Sequence, residues 1–555
     1  MAWKNWYLPG RTEPSPTLVR IPSVTLDIRA RVRGVLTGLL SGAVGVCVGF
    51  LVSGLIARPV GSPVVAVAQL MIDLSPPPVK DFAIREFGTN DKLVLQIGVL
   101  AVLAVFAAFI GVLAQRRTAI GLTGIAIFAG VGLVAAGTRP TTTPVDLLPT
   151  LIGSAAAAIV MIALTSVRGP AASPPDTGAA DRETEPPAAG QPRPASLRVI
   201  EPARRQFMAY SAVAAGAAAV SYLGGRLLAE SASVTKAVQT LELPAAASPV
   251  PPLPSGVDLH VPGLRPFITP NASFYRVDTA IVLPQIPPSS WHLRIHGMVR
   301  RELTLTFDDL LGRPLIEDYI TLCCVSNPVG GQYIGNAKWL GASLRSLLRE
   351  AGIRAGADQL FCRSFDGFTS GTPVQTAMDG RDALLAIGMN GKPLPTAHGF
   401  PVRTVVPGLY GYVSACKWIT DIEVTTYAAN HAYWSGRGWS QQAPIKTECR
   451  IDVPSGGTVK AGPVTIAGVA WAQHKGIDAV EVRVDRGPWR QATLADVPGI
   501  DTWRQWSADW HATPGLHKIE ARATDATGYT QTGLVAPPPP NGASGYPIAT
   551  VNVTR

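Results

Sequence analysis

Long uncharged runs dominate the first 230 residues and disappear after them. Five stretches, 34–57, 93–114, 119–137, 147–167 and 207–228, consist largely of Gly, Ala, Leu and Val. At about 1.5 Å of rise per residue each can carry a helix across roughly 30 Å of hydrocarbon. A buried helix of a soluble protein is rarely so long and so evenly apolar, and small residues suit close helix contacts in lipid. The pattern therefore predicts five transmembrane helices. From about residue 260 onward short β-like runs alternate with helical ones, as in an α+β domain. Beyond about 447 the helical signals stop. There Pro463–Trp471, Ile477–Asp485, Trp503–Trp510 and Leu516–Asp525 read as strands, and Val480, Val482 and Val484 alternate with Glu481, Arg483 and Asp485. That period of two marks a strand with one buried face and predicts a small immunoglobulin-like β-sandwich.

The expected organisation is multi-domain. Residues 1–167 hold four transmembrane helices, 168–206 a cytoplasmic linker, 207–228 the fifth helix and 229–259 a second linker. An α+β domain follows at 260–446, and the β-sandwich at 447–555. The 168–206 stretch is rich in Pro, Ala, Gly, Thr and Glu, a composition that cannot bury enough apolar area to fold. At its end Arg204-Arg205-Gln206-Phe207-Met208 precedes a weakly hydrophobic span and resembles an internal twin-arginine export signal; ordinary charge bias at a helix end would produce the same pair.

Composition supports the membrane reading: 15% of residues are charged and 47% hydrophobic. The formal charge of +10 raises nucleic acid as a partner, but no Lys/Arg cluster is interleaved with aromatics, so no nucleic-acid binding is expected. The arginines flank the apolar runs instead. Cations gather before the first span (Lys4 to Arg33), between the second and third (Arg116, Arg117) and after the fourth (Arg168 to Arg205). Those segments alternate correctly to share the cytoplasmic side, which places everything after about residue 230 outside the cytoplasm.

The six cysteines include no C-x-x-C pair, so neither a zinc pattern nor a disulfide framework is implied. Cys362, Cys416 and Cys449 read as buried free thiols. Cys323 and Cys324 are different: they end an apolar run (YITLCC) before a glycine-bearing loop. A thiolate there could grip a soft metal as its one protein ligand, although packing alone would also account for a cysteine at the end of a buried strand.

Taken whole, residues 319–348 resemble the molybdenum-binding loop of the sulfite oxidase family. The match is Cys324-Val325-Ser326-Asn327 followed by Asn336-Ala337-Lys338-Trp339-Leu340-Gly341-Ala342-Ser343-Leu344. The resemblance implies a sulfite-oxidase-type α+β molybdopterin domain at 260–446, with Mo-molybdopterin as cofactor and Cys324 as the protein ligand to molybdenum. Cys323 should face the other side of its strand. Asn327, Asn336 and Trp339 belong to the cofactor-binding motif. A second similarity, residues 390–424, implies that His398, Arg403 and Lys417 hold the cofactor phosphate. A third, Asn271 to Thr279, aligns Arg276 with the arginine that faces an oxyanion substrate, but puts Asp278 where the family keeps His. A carboxylate close by and poorly solvated would repel a dianion by roughly a few kcal/mol. Trp439 stands where the family keeps a catalytic Tyr, and an indole has no phenolic O–H. Arg437, nearby, is expected at the substrate mouth. The last hundred residues resemble the family's dimerisation domain, so a homodimer is possible.

Oxygen-atom transfer at molybdenum moves two electrons, and this chain has no C-x-x-C-H haem motif and no iron–sulfur spacing. All eight histidines lie at residue 260 or later, which rules out bis-histidine haem within the spans. An external electron-transfer protein, a cytochrome or a membrane redox subunit, is therefore expected. The sequence thus predicts a membrane-anchored molybdopterin-dependent oxidoreductase of the cell membrane, with its catalytic domain on the extracytoplasmic side, acting on a sulfite-like or sulfoxide-like substrate. The alternatives are a non-catalytic binding or assembly module on a membrane anchor, and a transporter, which the scarcity of ionisable residues in the spans disfavours.

Overall fold

The computed structural model describes residues 28–56, 62–76, 79, 82, 86–87, 91–139, 142–167, 202–231 and 233–555. Of the cations before the first span, Lys4, Arg11 and Arg20 lie outside them, as do residues 168–201, nearly all of the expected linker. The chain divides into two compact units: 1–52, 83–133 and 148–225 form one; 53–82, 134–147 and 226–555 form the other.

The helices, in chain order, are α1 (Ile28–Leu55), α2 (Pro63–Leu74), α3 (Asp91–Ala114), α4 (Thr118–Gly137), α5 (Leu148–Ser166) and α6 (Pro202–Ser231). All but α2 are long and apolar enough to cross a membrane. Arg204 and Arg205 lie in the first turn of α6. Glycines bring α1 against its neighbours: a Cβ on Gly38 would lie 1.8 Å from the Ala107 carbonyl oxygen of α3, and one on Gly153 of α5 would lie 2.4 Å from that of Gly45. Helix α2 lies between the first two apolar spans. Pro63 opens it, where the missing N–H costs nothing, and Ala66 packs with Ala135 and Ala136.

The second unit contains two β-rich parts. In the first, β1 (His292–Gly297), β2 (Leu303–Thr306), β3 (Leu315–Cys323), β4 (Ile334–Ser343), β5 (Gln359–Ser364), β6 (Thr369–Pro373), β7 (Leu384–Met389), β8 (Lys392–Pro393), β9 (Arg403–Val405) and β10 (Ile419–Thr425) build two sheets. Their orders are β2-β1-β10-β5-β6 and β3-β4-β7-β8, with β9 also on β7. The β1–β10 pair is parallel and joins residues 127 apart in sequence, a non-local contact that needs a long crossover. Short helices such as Leu344–Ala351, capped by the Ser343 hydroxyl, bury one apolar face against this core.

The second part carries β11 (Glu448–Val453), β12 (Gly457–Lys460), β13 (Gly462–Trp471), β14 (Ile477–Val484), β15 (Arg490–Gln491), β16 (Thr493–Leu494), β17 (Arg504–Ala512), β18 (Gly515–Asp525) and β19 (Ile548–Thr554). They form a sheet β11-β13-β17-β16 and a sheet β12-β19-β18-β14-β15. Residues from both, among them Ile466, Val480, Trp506, Ile519 and Val551, share one core.

Thr321 of β3 stitches the two parts together. Its amide donates to the Asp501 carbonyl and its carbonyl accepts from Gln473 Nε2. Its hydroxyl donates to Asn336 Oδ1 at 3.0 Å and accepts the Trp503 amide at 2.8 Å. All of this is buried, so the partners would have no water to replace a lost bond. Thr321→Val keeps the volume but strands the Asn336 oxygen and the Trp503 N–H. The expected cost is about 2–4 kcal/mol, read as a lower urea midpoint by tryptophan fluorescence; an unchanged midpoint contradicts the stitch.

Candidate active site

The site starts where β3 ends. Ile320 and Leu322 face a cluster with Phe274, Trp339, Phe400 and Val405, while Cys323 faces the opposite core. Alternation along the strand puts Cys324 on the Ile320 side, as the sequence reading expects. The Cys324 amide still bonds the Tyr333 carbonyl at 2.9 Å, prolonging the β3–β4 ladder by one residue. The chain then turns, with Asn327 N–H donating to the Cys324 carbonyl and Asn327 Oδ1 accepting the Tyr333 amide at 2.8 Å. The Ser326 N–H and hydroxyl face the Cys324 sulfur. Burial raises the Cys324 pKa, and those two donors together with the Lys417 charge oppose the rise. Donors and a cation of this kind favour a thiolate, the form that binds metal.

Beside the cysteine lies a group of cations. Arg403 on β9 has its guanidinium 5.2 Å from the Trp339 ring and donates to the carbonyls of His398 and Ala415. His398 ends the turn Thr396–His398, with Nε2 3.1 Å from the Asn271 carbonyl. Lys417, just before β10, pairs with Asp278 at 2.8 Å. Gly399 lets these meet: its φ is +109°, and a Cβ there would crowd Arg403 and the Lys417 backbone at 3.0 and 3.2 Å. Burial and the neighbouring Arg403, Lys417 and Arg276 push His398 down to about 4. Burial pulls Lys417 down to about 8 despite Asp278, and Arg403 down to about 10. Buried like charges that depress one another describe a place built for an anion.

Other sequence-predicted residues separate by role. Arg276 is half-exposed and makes a two-pronged ion pair with Asp278, at 2.8 and 3.3 Å. Asp278 thus sits buried between Arg276 and Lys417, its charge offset on both sides. Asn327 keeps a buried Nδ2 with no hydrogen-bond partner among the described residues. Asn336 is fully occupied within the protein: its Nδ2 donates to the Phe267 carbonyl and its Oδ1 accepts from Thr321, so it pins the extended 267–279 segment to β4. Trp339 donates to the Ile320 carbonyl and supports Arg403. Arg437 lies 3.7 Å over the Tyr433 ring, and Trp439 packs on Tyr412 and Trp434. Among the described residues no hydrogen bond, ion pair or ring contact joins Arg437 or Trp439 to Cys324, Arg403 or Lys417.

Tyr275 went unnoticed in the sequence. Its ring stacks on Phe274, its phenol lies in the electrostatic reach of Cys324 and Arg403, and its hydroxyl has no hydrogen-bond partner among the described residues. A tyrosine one position before Arg276, with the phenol that Trp439 lacks, was the available signal.

These features resemble known proteins. The oxidoreductase molybdopterin binding domain family matches residues 280–434. Sulfite oxidase of Gallus gallus is 30% identical over 321 residues, which cover 49% of this chain and 69% of that protein. The chain belongs to the sulfite oxidase family. Mitochondrial sulfite oxidase of Rattus norvegicus is 30% identical over 324 residues, 49% of this chain and 58% of that protein. Nitrate reductase (NADH) 1 of Oryza sativa subsp. japonica is 28% identical over 330 residues, 48% of this chain and 36% of that protein. The chain therefore spans little more than half the length of the rat sulfite oxidase. Sulfane dehydrogenase SoxCD from Paracoccus pantotrophus is a similar solved structure, with TM-score 0.45 and 23% identity over 52% of this chain and 84% of that one. Membership in the sulfite oxidase family makes Mo-molybdopterin the cofactor of this domain. The residues fit it: a soft sulfur, a buried Asn327 Nδ2 without a partner among the described residues, and cations that outnumber the one carboxylate paired with them, Asp278, make up the site.

His398 makes the site's stability depend on pH. Its folded pKa of about 4 lies below the ordinary 6.5, so between these values the unfolded chain binds a proton that the folded one refuses. Stability is full above pH 6.5 and falls as pH drops towards 4, by up to about 3 kcal/mol from this group. Urea unfolding of cofactor-free protein at several pH values should show that loss, and His398→Asn should remove it; an unaltered slope in the variant contradicts the assignment.

Proposed function

We propose that the protein is a membrane-anchored molybdenum oxidoreductase that transfers an oxygen atom to or from a sulfite-like or sulfoxide-like substrate. The observation that carries this reading is the nearness of Cys324 to the buried group of His398, Arg403 and Lys417, with the half-exposed Arg276 at its edge. A soft ligand beside an anion seat suits a metal cofactor with a phosphate tail.

When bound, the cofactor supplies two-electron oxygen-atom chemistry at molybdenum. Cys324 holds the metal, Asn327 Nδ2 offers the unpartnered N–H, and His398, Arg403 and Lys417 hold the phosphate. Trp339 and Asn336 act one step back, the first under Arg403 and the second by fixing the segment that carries Tyr275 and Arg276. Arg276 orients an anionic substrate. Asp278 weakens that attraction less than its charge alone suggests, because Arg276 and Lys417 offset it and leave the surroundings net positive. This favours an oxyanion over a neutral sulfoxide. Its oxidation takes an oxygen from water and releases two protons and two electrons. The electrons pass to a separate protein, since the sequence has no haem or cluster motif. Arg437 serves at the outer mouth.

The same-side arrangement expected from the charge pattern is supported by the second unit, where 53–82 and 134–147, the segments joining the first and third pairs of spans, belong with 226–555. Arg204 and Arg205 before the last span fit an export signal for a domain that crosses the membrane already folded. The two C-terminal sheets around one core fit an immunoglobulin-like sandwich and a dimer contact.

Cys324→Ser replaces the soft ligand with a hard oxygen. Dye-coupled turnover of sulfite should fall by more than about a hundredfold with the fold intact by circular dichroism; activity kept there but lost in Cys323→Ser would reverse the ligand assignment. Arg276→Ala should raise the KM for sulfite about tenfold or more, by loss of a charge-assisted contact, with molybdenum content unchanged. An unaltered KM removes Arg276 from the pocket. Purified protein without molybdenum or pterin fluorescence overturns the enzyme reading.

A further inference from the structure

The turn that follows Cys324 is held by the C-terminal sheets. Within the turn, the Cys324 amide bonds the Tyr333 carbonyl at 2.9 Å, the Asn327 amide bonds the Cys324 carbonyl at 3.0 Å and the Gly331 amide bonds the Pro328 carbonyl at 2.8 Å. The Gly331 carbonyl finds its partner elsewhere, accepting a hydrogen bond from Arg450 Nη1 at 3.2 Å. Arg450 stands on β11 and is buried, and its Nε and Nη2 donate to the two carboxylate oxygens of Asp452 at 2.5 and 3.2 Å. Asp452 Oδ2 also accepts the Arg265 amide at 3.4 Å, and the Arg265 guanidinium bonds the Gln332 side chain at 2.6 Å. The tip of the turn rests on the chain just before β19: a Cβ on Gly330 would lie 3.5 Å from Pro547, and one on Gly545 would lie 3.6 Å from Val329.

Stability alone does not account for a buried ion pair here. Uncharged side chains of similar volume are often as stabilising, because neither has to be stripped of water. What an apolar pair lacks is a donor for the Gly331 carbonyl, and the position of Gly331 matters for Asn327. A Cβ on Gly331 would stand 2.5 Å from Asn327 Oδ1 and 2.6 Å from the Pro328 ring, so this glycine packs directly on the amide. The Asn327 oxygen takes the Tyr333 N–H at 2.8 Å, which leaves the buried Nδ2 on the other side without a partner among the described residues.

We propose that Arg450 is a positioning residue for the metal-ligand turn: by holding the Gly331 carbonyl it fixes the Asn327 amide with Nδ2 free for the cofactor and keeps Cys324 in register with β4. The C-terminal sheets thereby serve the site directly, through one guanidinium that reaches back 119 residues in sequence. The proposal rests on the reading of Cys324 as the metal ligand.

The test uses the full chain in detergent, made in a host without molybdopterin and alkylated with iodoacetamide. Peptide mass spectrometry reads the rate at Cys324, with the buried thiol of Cys416 as control. Arg450→Met alone strands the Asp452 carboxylate and can unfold the chain, so the informative variant is Arg450→Met with Asp452→Leu, which removes both charges. Cys324 should react about tenfold faster there, the factor that corresponds to loss of one charge-assisted hydrogen bond. Cys416 and the urea midpoint should stay as in the wild type. Gly331→Ala, which displaces the Asn327 amide without touching Arg450, should speed Cys324 in the same way. Arg450→Lys keeps a cationic donor for the carbonyl and should label more slowly than the double variant. Equal Cys324 rates in wild type and double variant, equal acceleration at Cys324 and Cys416, or no protection by Arg450→Lys overturns the proposal. A failure of the metal reading shows separately, as protein from a molybdopterin-producing host that carries no molybdenum while these labelling rates hold.

Discussion

Everything in the catalytic unit answers to the confinement of several cations in one buried place. His398, Arg403 and Lys417 come from three separate elements; burial depresses all three, Arg403 and Lys417 lower His398 further, and Arg403 lowers Lys417. Left in water they would disperse; the fold holds them together with backbone carbonyls, an indole face and one carboxylate. The arrangement is costly without an anion and favourable with one. That is the signature of a site whose structure is written for its ligand rather than for its own stability.

The sulfur belongs to the same economy of placement. Strand alternation sends Cys323 into the core and Cys324 towards the cations, so adjacent residues of one type have opposite fates. Around Cys324 the turn to Asn327 aims N–H groups inward. Oxygen ligands would meet a surplus of donors there, whereas a soft metal needs just one thiolate and room for others. The rigid β3–β4 pair behind it, stitched through Thr321 to the C-terminal sheets, holds the turn steady.

The rim is made differently. Tyr433, Asp366 and Arg437 sit on loops, and their neighbours include Asp73 and Arg139 from segments far away in sequence. An isolated 260–555 fragment lacks both.

The sequence by itself determined the five apolar helices, because length and lack of charge are local properties. Its resemblance to the sulfite oxidase motifs also singled out Cys324, His398, Arg403 and Lys417 as candidates, since a motif can be matched without knowledge of the fold. Strand positions such as Ile477–Val484 were legible from alternation alone. Only the tertiary structure decided which of these residues meet. Asn336 sits in the same motif as Cys324, yet register against Thr321 turns it into the core. Asp278 looks like a repulsive charge until Lys417, 139 residues later, is found 2.8 Å away. Tyr275 gains meaning from its approach to Cys324, and Asp73 from its bond to a tyrosine 360 residues on. The physical reason is range: burial patterns and motif spacing are encoded within a few turns of chain, whereas the partner of a buried charge is chosen by sheet closure between segments that sequence keeps far apart.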